Sequence, residues 1–157
     1  MPRYAADTSV PVERSGAEIG TILRRYGAKR YMSGWDTDTD VATIAFEIAG
    51  RTVKIVVPMP DREAPEYHET PTGRPRRGNA ASEAYEQACR QRWRALALVV
   101  KAKLEAVDAG ISSVEAEFLA WTLLPSGKTV GQELAPQIAD AYRHGVQLRI
   151  GTGTGEG

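Results

Sequence analysis

The stretch from Val41 to Pro58 limits what this chain can fold into more than any other part of it. From Val41 to Ile48 the residues alternate, with Ile44, Phe46 and Ile48 on one face and Thr43 and Glu47 on the other. A period of two belongs to an extended strand with one buried face. Ala49-Gly50 then predicts a tight turn, and Arg51 to Pro58 returns with Val53, Ile55 and Val57 inward. Arg30 to Trp35 reads as a preceding strand joined through a polar loop at 36–40, so the three make an antiparallel meander.

Helical spacing surrounds this sheet. Ser15 and Glu18 read as a capping box opening a short helix in which Ile19, Leu23 and Tyr26 recur until Gly27. From Pro58 to Asn79 five prolines and little apolar periodicity predict an extended basic loop. Ser82 is the expected cap of a long helix running to Asp108-Ala109 and stopped by Gly110. Ser112 with Glu115 predicts a further short helix through Trp121. Thr129 with Gln132 predicts a last one ending near Gly145. The expected class is α+β: a three-stranded antiparallel sheet packed against a long helix, with a short N-terminal helix and two C-terminal helices. An arm (1–12), one domain (13–145, holding the 58–80 loop) and a glycine-rich flexible tail (146–157) complete the layout. For 157 residues, roughly two thirds of the unfolded surface can be buried in one core.

Balanced charge conceals a basic segment. The chain has 20 basic and 20 acidic residues. Yet Arg74, Arg76, Arg77, Arg90, Arg92, Arg94, Lys101 and Lys103 face Glu83 and Glu86 alone between Pro71 and Lys103. Such a local field suits a polyanion. Cys89 is the single cysteine, which excludes an intrachain disulfide and a zinc site built on paired cysteines. The longest apolar run, Ala95 to Val100, is far short of the roughly 20 residues of a membrane span, and Met1-Pro2-Arg3-Tyr4 lacks the apolar core of a signal peptide. The expectation is a cytoplasmic protein with no membrane partner.

On the long helix, at 100° per residue, Glu83, Arg90, Arg94, Lys101, Glu105 and Asp108 fall on a solvated stripe. Cys89, Trp93, Leu96, Val99, Val100, Leu104 and Val107 fall opposite. Arg92 and Lys103 lie in the middle of the apolar arc. An unpaired buried charge costs several kcal/mol, so they must snorkel, pair with an acid such as Glu47, or line a groove where they meet phosphates beside Trp93 or Tyr85. The loop arginines Arg74, Arg76 and Arg77, with Arg90, Arg92, Trp93, Arg94, Lys101 and Lys103, form the candidate nucleic-acid site, suited to backbone contacts.

Other patterns carry less chemistry. Asp36, Asp38, Asp40 and Glu47 have the acidic spacing of a calcium loop, but Val41 stands where the turn glycine belongs, and an acidic hairpin loop is expected instead. Gly127-Lys128-Thr129 has Thr122 where a phosphate-binding loop needs glycine. His68 and His144 are in no metal-ligand spacing. No catalytic set assembles, and no cofactor or metal is called for.

At residues 13–28, Arg90 to Gly110 and 124–138, the last opening Leu-Pro-Ser-Gly-Lys-Thr-Val-Gly, the chain resembles a family of small bacteriophage- and prophage-encoded proteins. The resemblance implies a phage genomic setting and supplies no catalytic residues. The helix, three strands and long helix in that order also resemble double-stranded-RNA-binding domains and, more loosely, phage single-strand annealing proteins. Ala80-Ala81-Ser82-Glu83 stands where the RNA-binding domain has a lysine-rich helix start. The expected function is non-enzymatic nucleic-acid binding in phage genome metabolism, with preference for single-stranded DNA or junctions. The alternative is a module that docks on a host protein; the pattern leaves oligomerisation open.

Overall fold

The structure, a computed structural model, describes residues 11–148. The expected arm and tail therefore lie, apart from 11–12 and 146–148, outside the described residues. The fold is α+β, as the sequence pattern predicts. Helix α1 (Val12–Arg25) leads into strands β1 (Arg30–Asp36), β2 (Val41–Ile48) and β3 (Arg51–Pro58), followed by helix α2 (Pro65–His68) and the long α3 (Ala80–Asp108). Helix α4 (Val114–Glu117), a 3-10 turn (Leu119–Trp121) and helix α5 (Val130–His144) follow.

The sheet is antiparallel in the order β1-β2-β3, with Ile44 opposite Ser33 on one side and Ile55 on the other. Ala49 and Gly50 both take positive φ, 50° and 71°, the two-residue reversal whose twist matches the strands it joins. Ala42, Ile44, Phe46, Ile48, Val53 and Ile55 project from one sheet face into the core, where Ile19, Ile22 and Leu23 of α1 and Trp93, Leu96, Ala97, Val100 and Leu104 of α3 meet them. Phe118 closes the core from the C-terminal side, edge-on to Phe46 at 5.4 Å. Strand β1 is the lightly covered edge. Its Tyr31 reaches under α1, where the hydroxyl donates to the Gly16 carbonyl at 2.8 Å. A Cβ at Gly20 would come within 2.9 Å of that ring, so the close approach of helix and strand requires glycine there.

Three helix starts differ from the sequence reading. Pro11, extended at ψ 151°, sets the first turn of α1, which begins at Val12. Ser15 is thereby one turn inside the helix, fully buried, with its hydroxyl unpartnered. Glu18 is drawn across to Arg94 rather than back to the helix start. Helix α3 opens at Ala80, with Asn79 rather than Ser82 at its cap position, three residues earlier than expected, because Gly78 turns the chain at φ 59°; the Asn79 carbonyl accepts from Glu83. Ser113, not Ser112, caps α4 by accepting from the Ala116 amide, while Glu115 pairs with Arg51 at 2.8 Å. The α5 capping box is as predicted, with Thr129 and Gln132 reciprocally bonded and Gly145 left-handed at the far end. Among the described residues no helix is long and apolar enough to cross a membrane.

Candidate nucleic-acid interface

The segment between β3 and α3 is more structured than its prolines suggest. Helix α2 packs on α3, where the Tyr67 and Tyr85 rings meet edge to face at 5.9 Å. Residues 69–76 then fold back on themselves. Thr70 donates its amide to the Arg74 carbonyl at 2.7 Å, its hydroxyl accepts the Arg74 amide, and Gly73 makes the turn at φ 75°. The Arg76 amide bonds the His68 carbonyl and its Nε donates to the Glu69 carbonyl at 3.1 Å. The expected extended loop is therefore a short helix followed by a tied hairpin. Local backbone pairing, invisible to side-chain periodicity, makes it so. Arg74 and Arg77 remain exposed on this hairpin.

Between this segment and α3 lies a groove of about 640 Å³. Tyr67, Glu66 and Arg76 line one wall, and Gln87, Gln91 and Arg92 the other. Arg92 is exposed and donates from Nη1 to the Pro58 carbonyl at 2.8 Å, so it snorkels past the core edge and has no bond to Glu47. Glu47 is satisfied by Arg30 at 3.0 Å. Burial lifts the Tyr67 phenol above its ordinary value, with Glu66 adding to the effect, so it is a neutral hydroxyl in the groove.

The other predicted residues are dispersed. Trp93 is 4 % exposed within the core and does not offer a stacking face to this groove. Tyr85 lies on the far side of the tyrosine pair, under the Arg62 guanidinium at 4.5 Å. Arg90 is bound to Gln87 at 2.6 Å, and Arg94 is paired with Glu18 on the α1 side. Lys101 is exposed on the same stripe of α3. Lys103 is held at the opposite end of the helix. Its ammonium donates to the Glu117 carbonyl at 3.0 Å, pairs with the Glu117 carboxylate at 3.2 Å and rests 5.2 Å from the Trp121 ring. Ser112 and Lys103 together hold the Glu117 carboxyl below the usual carboxylate range. Lys103 is thus a tie between α3 and α4. Of the nine predicted residues, Arg76 and Arg92 line the groove, and Arg74 and Arg77 are exposed on the hairpin that carries Arg76. Tyr67, Gln87 and Gln91 line the groove too, residues that sequence spacing did not single out because α2 and its packing on α3 carry no periodic signal.

Metal and phosphate-loop patterns gather no ligands. Asp36 Oδ1 accepts amides from Asp38 at 2.8 Å and Thr39 at 3.3 Å, which closes the hairpin loop. Glu47 lies at the opposite end of β2, six residues beyond Val41 and so about 20 Å away along the strand. Among the described residues no group of acidic, histidine or cysteine side chains is placed to hold a metal ion. Thr129 caps α5 and Lys128 faces Glu133. No family model, no curated protein and no solved structure matches the chain.

Proposed function

We propose that this protein binds single-stranded nucleic acid, single-stranded DNA or a single-strand junction in phage genome metabolism, in the host cytoplasm and without catalysing a reaction on it. One observation carries the reading. A groove lined by Arg76, Arg92 and Tyr67 is built in part from a hydrogen-bonded hairpin on which Arg74 and Arg77 are also exposed. Guanidinium groups fix phosphates by paired N–H donors, and a groove of this kind tracks a backbone without reading bases. Tyr67 supplies one ring for a base to rest on.

The test is fluorescence anisotropy of a labelled oligo-dT over a series of salt concentrations. Wild type should bind with affinity falling steeply in salt. Arg74→Ala/Arg77→Ala should bind more weakly, with the logarithmic salt slope shallower by roughly 0.7 for each phosphate no longer neutralised. Absence of binding at low salt, or an unchanged slope in the double variant, refutes the reading.

A second reading, docking on a host protein, rests on a separate surface. Helix α5 packs on the 3-10 turn, yet Leu119, Ile138, Tyr142, Val146 and Leu148 are exposed, Tyr142 by 90 %. An exposed apolar row of this kind suits a protein partner. Capture of a host protein that survives nuclease, and is lost with Ile138→Asp/Tyr142→Asp, supports it.

A further inference from the structure

On the opposite side of the tyrosine pair from the arginine groove, a second cavity of about 530 Å³ opens between the start of α1, the β1–β2 loop, residues 59–63 and α3. Its surface is mainly apolar and includes Trp35, Met59, Tyr85, Cys89 and Trp93. Trp35 stands 63 % exposed at the end of β1. A large ring left in solvent at a cavity mouth gains nothing for the fold, whereas it can close over a ligand. Burial raises the Cys89 thiol above its ordinary value, so at neutral pH this wall carries no thiolate and is apolar in character.

Five carboxylates, Glu13, Asp36, Asp40, Asp61 and Glu63, line the same cavity against one basic residue, Arg62. No salt bridge among the described residues reaches any of the five. Glu18, Glu47, Glu115 and Glu117, outside the cavity, are each neutralised by a basic partner. Here negative charge is left standing around an aromatic floor. The single cation of the site already lies on one of its rings, the Arg62 guanidinium being 4.5 Å from the centre of Tyr85. Aromatic faces and surrounding carboxylates both attract positive charge, and an alkylated ammonium brings that charge with apolar methyl groups that suit the floor.

We infer that this cavity is a binding site for a small soluble organic cation of the alkylated-ammonium class, in which the Arg62 guanidinium occupies part of the cation's place in the unliganded protein. The site is independent of nucleic-acid binding, since it shares no lining residue with the arginine groove. Trp35 and Tyr85 supply the ring faces, and the carboxylates supply the field. Arg62 is a competitor: it is exposed, its carbonyl is held by His68 Nε2 at 2.9 Å, and only its side chain must leave the Tyr85 ring when a ligand enters.

The experiment follows the tryptophan indole N–H signals of the full chain by NMR while choline is added, and repeats the titration with 3,3-dimethylbutan-1-ol, its uncharged isostere. Choline should shift the Trp35 indole saturably and bind about tenfold or more tightly than the alcohol, the discrimination a partly desolvated cation on aromatic faces supplies. Trp35→Leu, at an exposed position that tolerates change, should keep the fold and lose choline binding. Arg62→Gln should tighten binding about threefold or more, because the internal competitor is removed. Equal binding of both probes, no saturable shift with choline, or weaker binding by Arg62→Gln overturns the proposal. Sedimentation with phosphatidylcholine vesicles separates a lipid head group from a free cation, and capture by vesicles without binding of free choline also overturns it.

Discussion

The two cavities flanking the Tyr67–Tyr85 pair are of similar size and opposite character. The groove on the Tyr67 side gathers Arg76 and Arg92 with one acid, Glu66, and the hairpin that supplies Arg76 also carries the exposed Arg74 and Arg77. The cleft on the Tyr85 side gathers five acids with Arg62. Both are built on α3 and on the same connecting segment. The chain deals its charges out in passing: Asp61, Arg62 and Glu63 turn toward the cleft before α2, and Arg76 turns toward the groove after it. A protein with equal numbers of acids and bases can thus hold two local fields of opposite sign, and it is the fields, screened over roughly 8–10 Å at moderate salt, that a ligand meets.

The largest effect expected from one substitution separates the core from both surfaces. Trp93→Ala removes a ring that is 4 % exposed and supports α1, α3 and the floor of the cleft. It should cost on the order of 3–5 kcal/mol in urea unfolding. DNA affinity per folded molecule should be unchanged, since the indole does not enter the arginine groove; a loss of affinity with intact fold would merge the two regions.

Next comes a gain. The α1 side of the molecule is tightly packed, and Ser15 sits there with a buried hydroxyl that lacks a partner. Ser15→Ala should stabilise by about 1 kcal/mol, the scale of an unmet buried hydrogen-bonding group. A clear destabilisation would mean that the hydroxyl holds a hydrogen bond in solution.

Smaller still are the stability changes at the two surfaces, which is what makes them useful. Arg92→Met keeps the apolar stem and gives up an exposed bond to the Pro58 carbonyl, so its effect on stability should stay within about 0.5 kcal/mol. The same substitution should weaken oligo-dT binding and leave choline binding alone. Trp35→Leu should do the reverse.

The last effect is a matter of pH. The Asp38 amide, followed by the Thr39 hydroxyl and to a lesser degree the Thr39 amide, holds the Asp36 carboxyl below its ordinary value. A depressed folded value favours the folded state above the unfolded value of about 3.9, and the advantage fades as pH falls through the folded value. The stability gap between wild type and Asp36→Ala should therefore be constant near neutrality and close below about pH 4. A gap that widened on acidification would contradict the loop geometry.

Much of the fold was legible in the sequence. Strands β2 and β3 have the predicted ends, because alternation with a left-handed two-residue turn permits few other solutions. The α3 arc was plain at Trp93, Leu96, Val100 and Leu104, which are buried, whereas Val99, expected on the same arc, sits at its margin and is 41 % exposed; the α5 capping box is as predicted. Ser15 deceives because a serine three residues before a glutamate fits both a cap and an interior turn, and Pro11 decides between them. Arg92 and Lys103 look alike on a helical projection but meet different neighbours, a strand-end carbonyl and the α4 carboxylate. The cleft was hidden for a related reason. Its acids come from α1, the β1–β2 loop and the 59–63 stretch, so no window of sequence contains them. In sequence Asp36 and Asp40 suggest a calcium loop; in space Asp36, Asp40, Asp61 and Glu63 border an aromatic floor.

If one helix separates an anion-binding groove from a cation-binding cleft, the two ligands should bind together. A two-ligand amide NMR titration of a single labelled sample decides this, first with oligo-dT and then with choline in its presence. Oligo-dT should move signals of Arg74, Arg76, Arg77, Gln91 and Arg92, and choline those of Trp35, Asp36, Arg62 and Glu63, with neither ligand displacing the other. Displacement of one by the other, or a shared set of moved signals, would mean that the helix does not keep the two sites apart.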